Sequence, residues 1–294
     1  MEKQFLDFSS ELHSTVFAAL VLFAVTVIFF IYLAVTYYNK RNSKRSDDND
    51  LYLDCAYFCE QGKRPSQQDA FFISELEDYR KYGIVACVAD GMGGMEHGEE
   101  ISEEIAEHIS TLCPMSFFAT EQNAEEIRKL SDRLYDEYRL SGGSTLAMVH
   151  IAGYYMNYYS VGDSDIILIR NGNATILNPR QNYMTVLVKS LCRNNKSTQT
   201  AYSNSKARSL IDFMGNSTTR VIYTKRPMRI YDGDRIIISS DGLTDAVSLR
   251  NIPKYVRDGS RATASNLKNA VAQRNRTKQD NYTGIVFTVQ RSVL

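Results

Sequence analysis

Five aspartates stand where apolar runs begin or end. Asp90 closes Val85-Ala86-Cys87-Val88-Ala89 and is followed by Gly91-Met92-Gly93-Gly94. Asp241 closes Ile236-Ile237-Ile238-Ser239-Ser240 and is followed by Gly242, which copies the first pattern. Asp163 follows Ser160-Val161-Gly162, whereas Asp69 and Asp280 each precede an apolar segment. A carboxylate at the end of a buried strand is held rigidly, and glycine beside it lets backbone come close to a bound group. Taken singly, each aspartate also reads as an ordinary turn residue. Taken together they offer oxygen donors with no His or thiolate among them, the set that selects Mg²⁺ or Mn²⁺ over zinc.

The elements that must bring them together are read from periodicity. Strands are expected over Leu51–Cys59 and Ala70–Ser74, and Tyr82–Ala89 leads into Asp90. Ile101, Ile105 and Ile109 recur at helical spacing between glutamates, and Ile127, Leu130, Leu134 and Tyr138 repeat the pattern, giving two amphipathic helices. Further strands span Thr145–Ile151, Tyr154–Val161 and Ile166–Arg170, with an Asn171-Gly172 turn before Ala174–Leu177. Pro179–Asn216 is polar and without a regular period. Strands follow at Arg220–Thr224 and Arg235–Ser239, short helices at Asp245–Val256 and Ala262–Arg274, and a last strand at Thr283–Gln290. Strands and helices in separate runs indicate an α+β fold, and the short turns require antiparallel pairing. A two-sheet sandwich of that kind can gather strand ends on one rim.

The 294 residues are 44% hydrophobic and 23% charged with zero formal net charge, so nothing global points to nucleic acid. Five scattered cysteines do not form a disulfide framework, and Cys55 and Cys59 lack a second pair to complete a zinc site. Between Arg180 and Arg229 ten basic residues face only Asp212. Either this is one of two solvated faces that cancel, or it is a basic lip for acidic or phosphorylated protein or anionic lipid.

From Val16 to Tyr38 there is no charge. At about 1.5 Å per residue such a run crosses a hydrocarbon core of about 30 Å. Tyr32, Tyr37 and Tyr38 sit at its C-terminal end, and Lys40, Arg41, Lys44 and Arg45 follow. The expectation is one transmembrane helix over 16–38, a short extracytoplasmic N-terminus over 1–15 and a charged linker over 39–50. A domain over 51–294 then faces the cytoplasm from the cell membrane. A cleaved signal peptide would need a basic n-region and a shorter apolar core.

The ordered motifs resemble the metal-dependent serine/threonine protein phosphatases, the PPM or type 2C family, in bacterial form. They are Arg64-x-x-x-Gln68-Asp69, Val88-x-Asp90-Gly91-Met92-Gly93-Gly94 with Gly98-Glu99, Gly143-Ser144-Thr145, Gly162-Asp163-Ser164, Ser240-Asp241-Gly242-Leu243-Thr244-Asp245, and Asp280-Asn281. The resemblance implies an αββα sandwich of two antiparallel sheets flanked by helices. It also implies two Mn²⁺ or Mg²⁺ ions, with a third, weaker one beside them. On that pattern Asp90 bridges the metals and Gly91 lends its carbonyl. Asp241 and Asp280 complete the ligand set, Asp163 helps the third ion, Asp69 acts through waters, and Arg64 holds the substrate phosphate. The implied reaction is attack of a metal-bridging water on phosphoserine or phosphothreonine, with phosphoproteins and a cognate Ser/Thr kinase as partners. The alternative is a catalytically weak phosphatase-fold module that docks a phosphoprotein.

Three departures stand out. Asp165 occupies a position where many members have Arg; it reads as an exposed strand residue or as a sign of an altered third-metal site. Met92 stands where eukaryotic members have His, and His97 nearby reads as a loop or helix-start residue. After Leu177, Asn178-Pro179-Arg180-Gln181 replaces a common Asp-His pair.

Overall fold

The computed structural model describes residues 26–27, 29–30, 32–33, 51–75, 79–92 and 94–291. The segments 1–15 and 39–50, and all but six positions of 16–38, lie outside the described residues, as does Gly93. Among the described residues no helix is long and apolar enough to cross a membrane. Contacts divide the chain between Asp50 and Leu51.

In the unit from Leu51 onward, the elements run β1 (Leu51–Glu60), β2 (Asp69–Ile73), α1 (Tyr79–Tyr82), β3 (Ile84–Asp90), α2 (Gly98–Leu112), α3 (Thr120–Tyr138), β4 (Leu146–Ala152), β5 (Tyr155–Val161), β6 (Asp165–Arg170) and β7 (Asn173–Ile176). They continue with α4 (Tyr183–Arg193), α5 (Gln199–Tyr202), β8 (Ile222–Tyr223), β9 (Met228–Arg229), β10 (Arg235–Ser239), α6 (Asp241–Ala246), a 3₁₀ segment (Leu249–Tyr255), α7 (Ser260–Gln273) and β11 (Tyr282–Arg291). One sheet has the order β1-β11-β10-β6-β7. The other has the order β2-β3-β4-β5-β8, with β9 also paired to β5. Every pairing is antiparallel.

Strand alternation sorts side chains into three cores. Ala86 and Val88 of β3 meet Ile236 and Ile238 of β10 between the sheets. Val85 and Cys87 point the other way, onto Ile101, Ile105 and Ile109 of α2 and Ile127, Leu130 and Leu134 of α3. Ile237 points outward onto Leu243, Ile252, Leu267 and Val271. Period 2 in the strands and period 3.6 in the helices therefore produce a four-layer αββα sandwich. A fully buried isoleucine contributes about 2 kcal/mol relative to an exposed one, so these stripes hold the layers together. All five cysteines are free thiols.

Two element expectations are corrected. The polar stretch after Pro179 contains α4, an eleven-residue helix with no buried residue, capped by Asn182, which accepts from the Thr185 N–H. Met184, Leu187, Val188 and Leu191 recur on it at helical spacing and are partly buried, and the local cap adds to that period. The single helix expected over Asp245–Val256 is two elements, because Pro253 lies within the second and removes an N–H that an α-helix needs.

Candidate metal centre

The five aspartates sit at the ends of strands on both sheets. Asp69 opens β2 and Asp90 closes β3, and the two face each other directly in the antiparallel register. Like charges so placed repel. Thr145, directly before β4, braces Asp90: its Oγ1 accepts the Asp90 N–H at 3.1 Å, and its own N–H donates to the Asp90 carbonyl at 2.9 Å. Gly91 follows because nothing larger fits; a Cβ there would lie 2.2 Å from the Gly98 carbonyl oxygen and 2.6 Å from that of Gln68. Asp241 is the first residue of α6, just beyond β10. Asp163 lies in the turn between β5 and β6, where Asn182 Nδ2 donates to its Oδ2 at 3.2 Å.

Asp280 precedes β11 and receives Arg64 in a two-pronged pair, Nε to Oδ1 and Nη2 to Oδ2, each at 2.6 Å. The loop carrying Arg64 is fastened to the Asp280 loop by the Lys63 N–H, which donates to the Gln279 carbonyl at 2.9 Å, and by the Asn281 side chain. Asn281 Nδ2 donates to the Gln61 and Ser66 carbonyls, and Asn281 Oδ1 accepts the Gln68 N–H. Gly62 lies between them at φ +64°, and a Cβ on it would come within 2.1 Å of the Asp280 carbonyl oxygen.

Electrostatically the carboxylates form one group. Burial pushes Asp90 well above the usual carboxylate range, and Asp69, Asp241, Asp163 and Asp280 push it further. Asp241 is raised in the same way, by burial and then by Asp163, Asp245, Asp280 and Asp69. Asp69 is raised to about 6 by burial, against the opposing hydrogen bond from Ser240. Burial also raises Asp163, while Asn182 and Arg180 pull it down.

Among the described residues, no three acidic, histidine or cysteine side chains converge as a ready coordination sphere. The carboxylates are instead turned towards neighbouring donors: Asp280 to Arg64, Asp69 Oδ2 to Ser240 at 2.7 Å, and Asp163 to Asn182. The residues still fit hard divalent cations. The donors are all oxygen, their mutual repulsion calls for positive charge, and Asp69 Oδ1 is buried without a hydrogen-bond partner.

Sequence reasoning missed several supporting residues. Ser240, directly before Asp241, holds Asp69 and receives the Thr283 N–H. The exposed reading of Asp165 is overturned: its side chain is fully buried and paired with Arg180. Asp165 and Arg180 stand fifteen positions apart, on either side of β7. Their opposite charges, considered together, were the available signal for a pair. His97 is a helix-start residue, directly before α2, with its ring 5.3 Å from Tyr138. Arg180 and Arg208 of the basic stretch reach out of it to Asp165 and Asp245, whereas Arg128 pairs within the acidic helix α3 with Glu125 and Asp132.

The chain is 27% identical over 197 residues to a Streptococcus pyogenes protein assigned to the protein phosphatase 2C type, covering 63% of this chain and 76% of that one. Its fold is similar to a solved serine/threonine phosphatase of S. agalactiae, with TM-score 0.68 at 19% identity, over 82% of this chain and 100% of that one. It is also similar to the catalytic domain of the phosphatase PstP in complex with two manganese ions, with TM-score 0.66 at 20% identity, over 82% and 99% of the two chains. The family model for protein phosphatase 2C matches residues 60–275, which carry four of the five aspartates, and the chain belongs to that family.

Proposed function

We propose that this chain is a metal-dependent phosphoprotein phosphatase that hydrolyses phosphoserine and phosphothreonine left by a Ser/Thr kinase. The observation that carries the reading is the mutually repelling group of Asp69, Asp90, Asp163, Asp241 and Asp280, with Arg64 at its edge. Asp90, Asp241 and Asp280 would hold Mn²⁺ or Mg²⁺ with the Gly91 carbonyl, and Asp163 would stand beside them. Bound there, the ions would supply positive charge against the phosphoryl oxygens and acidify water. Asp69, anchored through Oδ2 by Ser240, keeps Oδ1 to accept a hydrogen bond from a bound water. Arg64, partly exposed and carrying a planar fork of donors, is matched to two phosphoryl oxygens. No nucleophilic Ser or Cys is required. The test is hydrolysis of a phosphothreonine peptide by the full chain with Mn²⁺ and with a chelator. Metal-dependent release of phosphate is expected, and its absence from folded protein would sink the reading.

The apolar run 16–38 is proposed to cross the membrane once, with 1–15 outside, 39–50 as a linker and 51–294 in the cytoplasm. Its lack of charge and the basic residues after it support this. Alkaline carbonate extraction should leave the chain in the membrane pellet, and release to the supernatant would contradict the anchor.

A further inference from the structure

The basic stretch keeps most of its charge unopposed in the fold. From Tyr183 to Ile211 the chain has no acidic residue, and it carries Lys189, Arg193, Lys196, Lys206 and Arg208. Arg208 is paired with Asp245. The other four are exposed, and none of them has an ion-pair partner among the described residues. Helix α4 sorts its side chains by period. Met184, Leu187, Val188 and Leu191 are partly buried on one side, while Lys189 and Arg193, four positions apart, lie together on the other beside the exposed Val186.

This basic face starts at the carboxylates. Asn182 caps α4, its Oδ1 accepting the Thr185 N–H, and its Nδ2 donates to Asp163 Oδ2, each at 3.2 Å. Lys206 is brought to the first turn of α4 by its neighbours: the Met184 N–H donates to the Ala207 carbonyl at 2.8 Å and the Tyr183 N–H to the Ser209 carbonyl at 2.9 Å. Beyond them Met214 exchanges two backbone bonds with Ser144, at 2.8 and 3.2 Å, and Ser144 also bridges to Gly91. Both ends of the segment are thus tied to residues beside the metal centre. At about 1.5 Å per residue, Lys189 stands about 10 Å and Arg193 about 16 Å along α4 from Asn182. An extended peptide rising about 3.3 Å per residue covers those distances in about three to five residues.

Charge and place favour an acidic peptide over a lipid surface. The chain enters the unit at Leu51, opposite Arg291, whereas the Asp280 loop adjoins the far end of the same pair of strands, where Tyr282 faces Glu60. Helix α4 starts beside Asp163, at the carboxylate end. We infer that α4 and Lys206 form a docking surface for acidic residues that flank the phosphoresidue of a protein substrate, about three to five positions away from it. This names a substrate class for the phosphatase reading above and rests on that reading.

The test compares kcat/KM of the full chain, in non-ionic detergent with Mn²⁺, on two phosphothreonine peptides that carry either Glu or Ala at the third to fifth positions on both sides. The proteins are the wild type, Lys189→Gln/Arg193→Gln, and Lys189→Arg/Arg193→Lys, which keeps both charges; circular dichroism verifies that each is folded. The wild type is expected to favour the Glu peptide by about tenfold at low salt, the size of a few exposed ion pairs acting together. That preference should shrink at high salt, where the screening length falls to about 3 Å. The neutral double variant should lose the preference and the charge-keeping one should retain it. Equal rates on the two peptides for the wild type, or an undiminished preference in the folded neutral variant, overturns the inference and leaves the phosphatase reading standing. Equal rates together with slowing by added phosphatidylserine, in the wild type and not in the neutral variant, also overturns it and assigns the surface to lipid. No metal-dependent hydrolysis of either peptide overturns the phosphatase reading itself, and this inference with it.

Discussion

Asp90→Asn is expected to lower Mn²⁺-dependent hydrolysis of a phosphothreonine peptide by about 10²–10³-fold or more, and at the same time to raise the Tm of the metal-free protein. The loss is of the size that follows removal of one group organising transition-state charge. The gain follows from the environment of Asp90. Burial and four neighbouring carboxylates hold its pKa above the ordinary value, so the folded state binds its proton more tightly than the unfolded state does. A carboxylate raised in this way favours folding most below its unfolded pKa, and that contribution is lost as pH rises through the folded value. Asparagine keeps the shape without the charge. The Tm difference between variant and wild type in chelator should therefore be small near pH 4 and should widen towards pH 7. A variant that loses activity but is less stable than the wild type at pH 7 would mean that Asp90 serves packing and not charge.

Arg64→Ala is expected to raise KM for the phosphopeptide by about 10–100-fold and to lower kcat less. A two-pronged guanidinium–phosphate contact is worth about 1.5–3 kcal/mol, which corresponds to that range. The same substitution should lower the Mn²⁺ concentration needed for half-maximal activity, because Arg64 holds both oxygens of Asp280 at 2.6 Å and competes for them. Arg64→Lys should recover part of the KM effect, since it keeps charge but loses the fork. The two shifts in opposite directions distinguish a substrate-binding arginine from a purely structural one, whose removal would weaken both. The pair itself adds little to stability, because both side chains are more than a third exposed.

What could be read from residues alone follows from where the forces are local. β10 has the expected bounds, Arg235–Ser239, because its alternation is driven by cores on both sides. Each of the five aspartates stands at a strand end, where an apolar run meets a polar rim. Helix α4 was legible and missed: Met184, Leu187, Val188 and Leu191 recur at helical spacing and are partly buried, but they stand among polar residues and none is fully enclosed. The Asp165–Arg180 pair was hidden for a different reason. Two charges fifteen positions apart look solvated until β6 and β7 fold back on each other and enclose them. Arg64 was legible as a residue of the site, but its hold on Asp280 depends on hydrogen bonds from the Asn281 side chain to a loop more than two hundred residues away.

The place of β11 has a consequence for biosynthesis. This strand lies between β1 and β10 and is antiparallel to both, so the first strand of the unit waits for the last. While the ribosome is still short of residue 291, β1 has no neighbour in its sheet and Asp280 has no strand behind it to set its position. The pairing of β11 with β1 and β10 closes the sheet and sets the position of Asp280 together. A chain cut short before β11 therefore leaves β1 without a neighbour in its sheet and Asp280 without its strand.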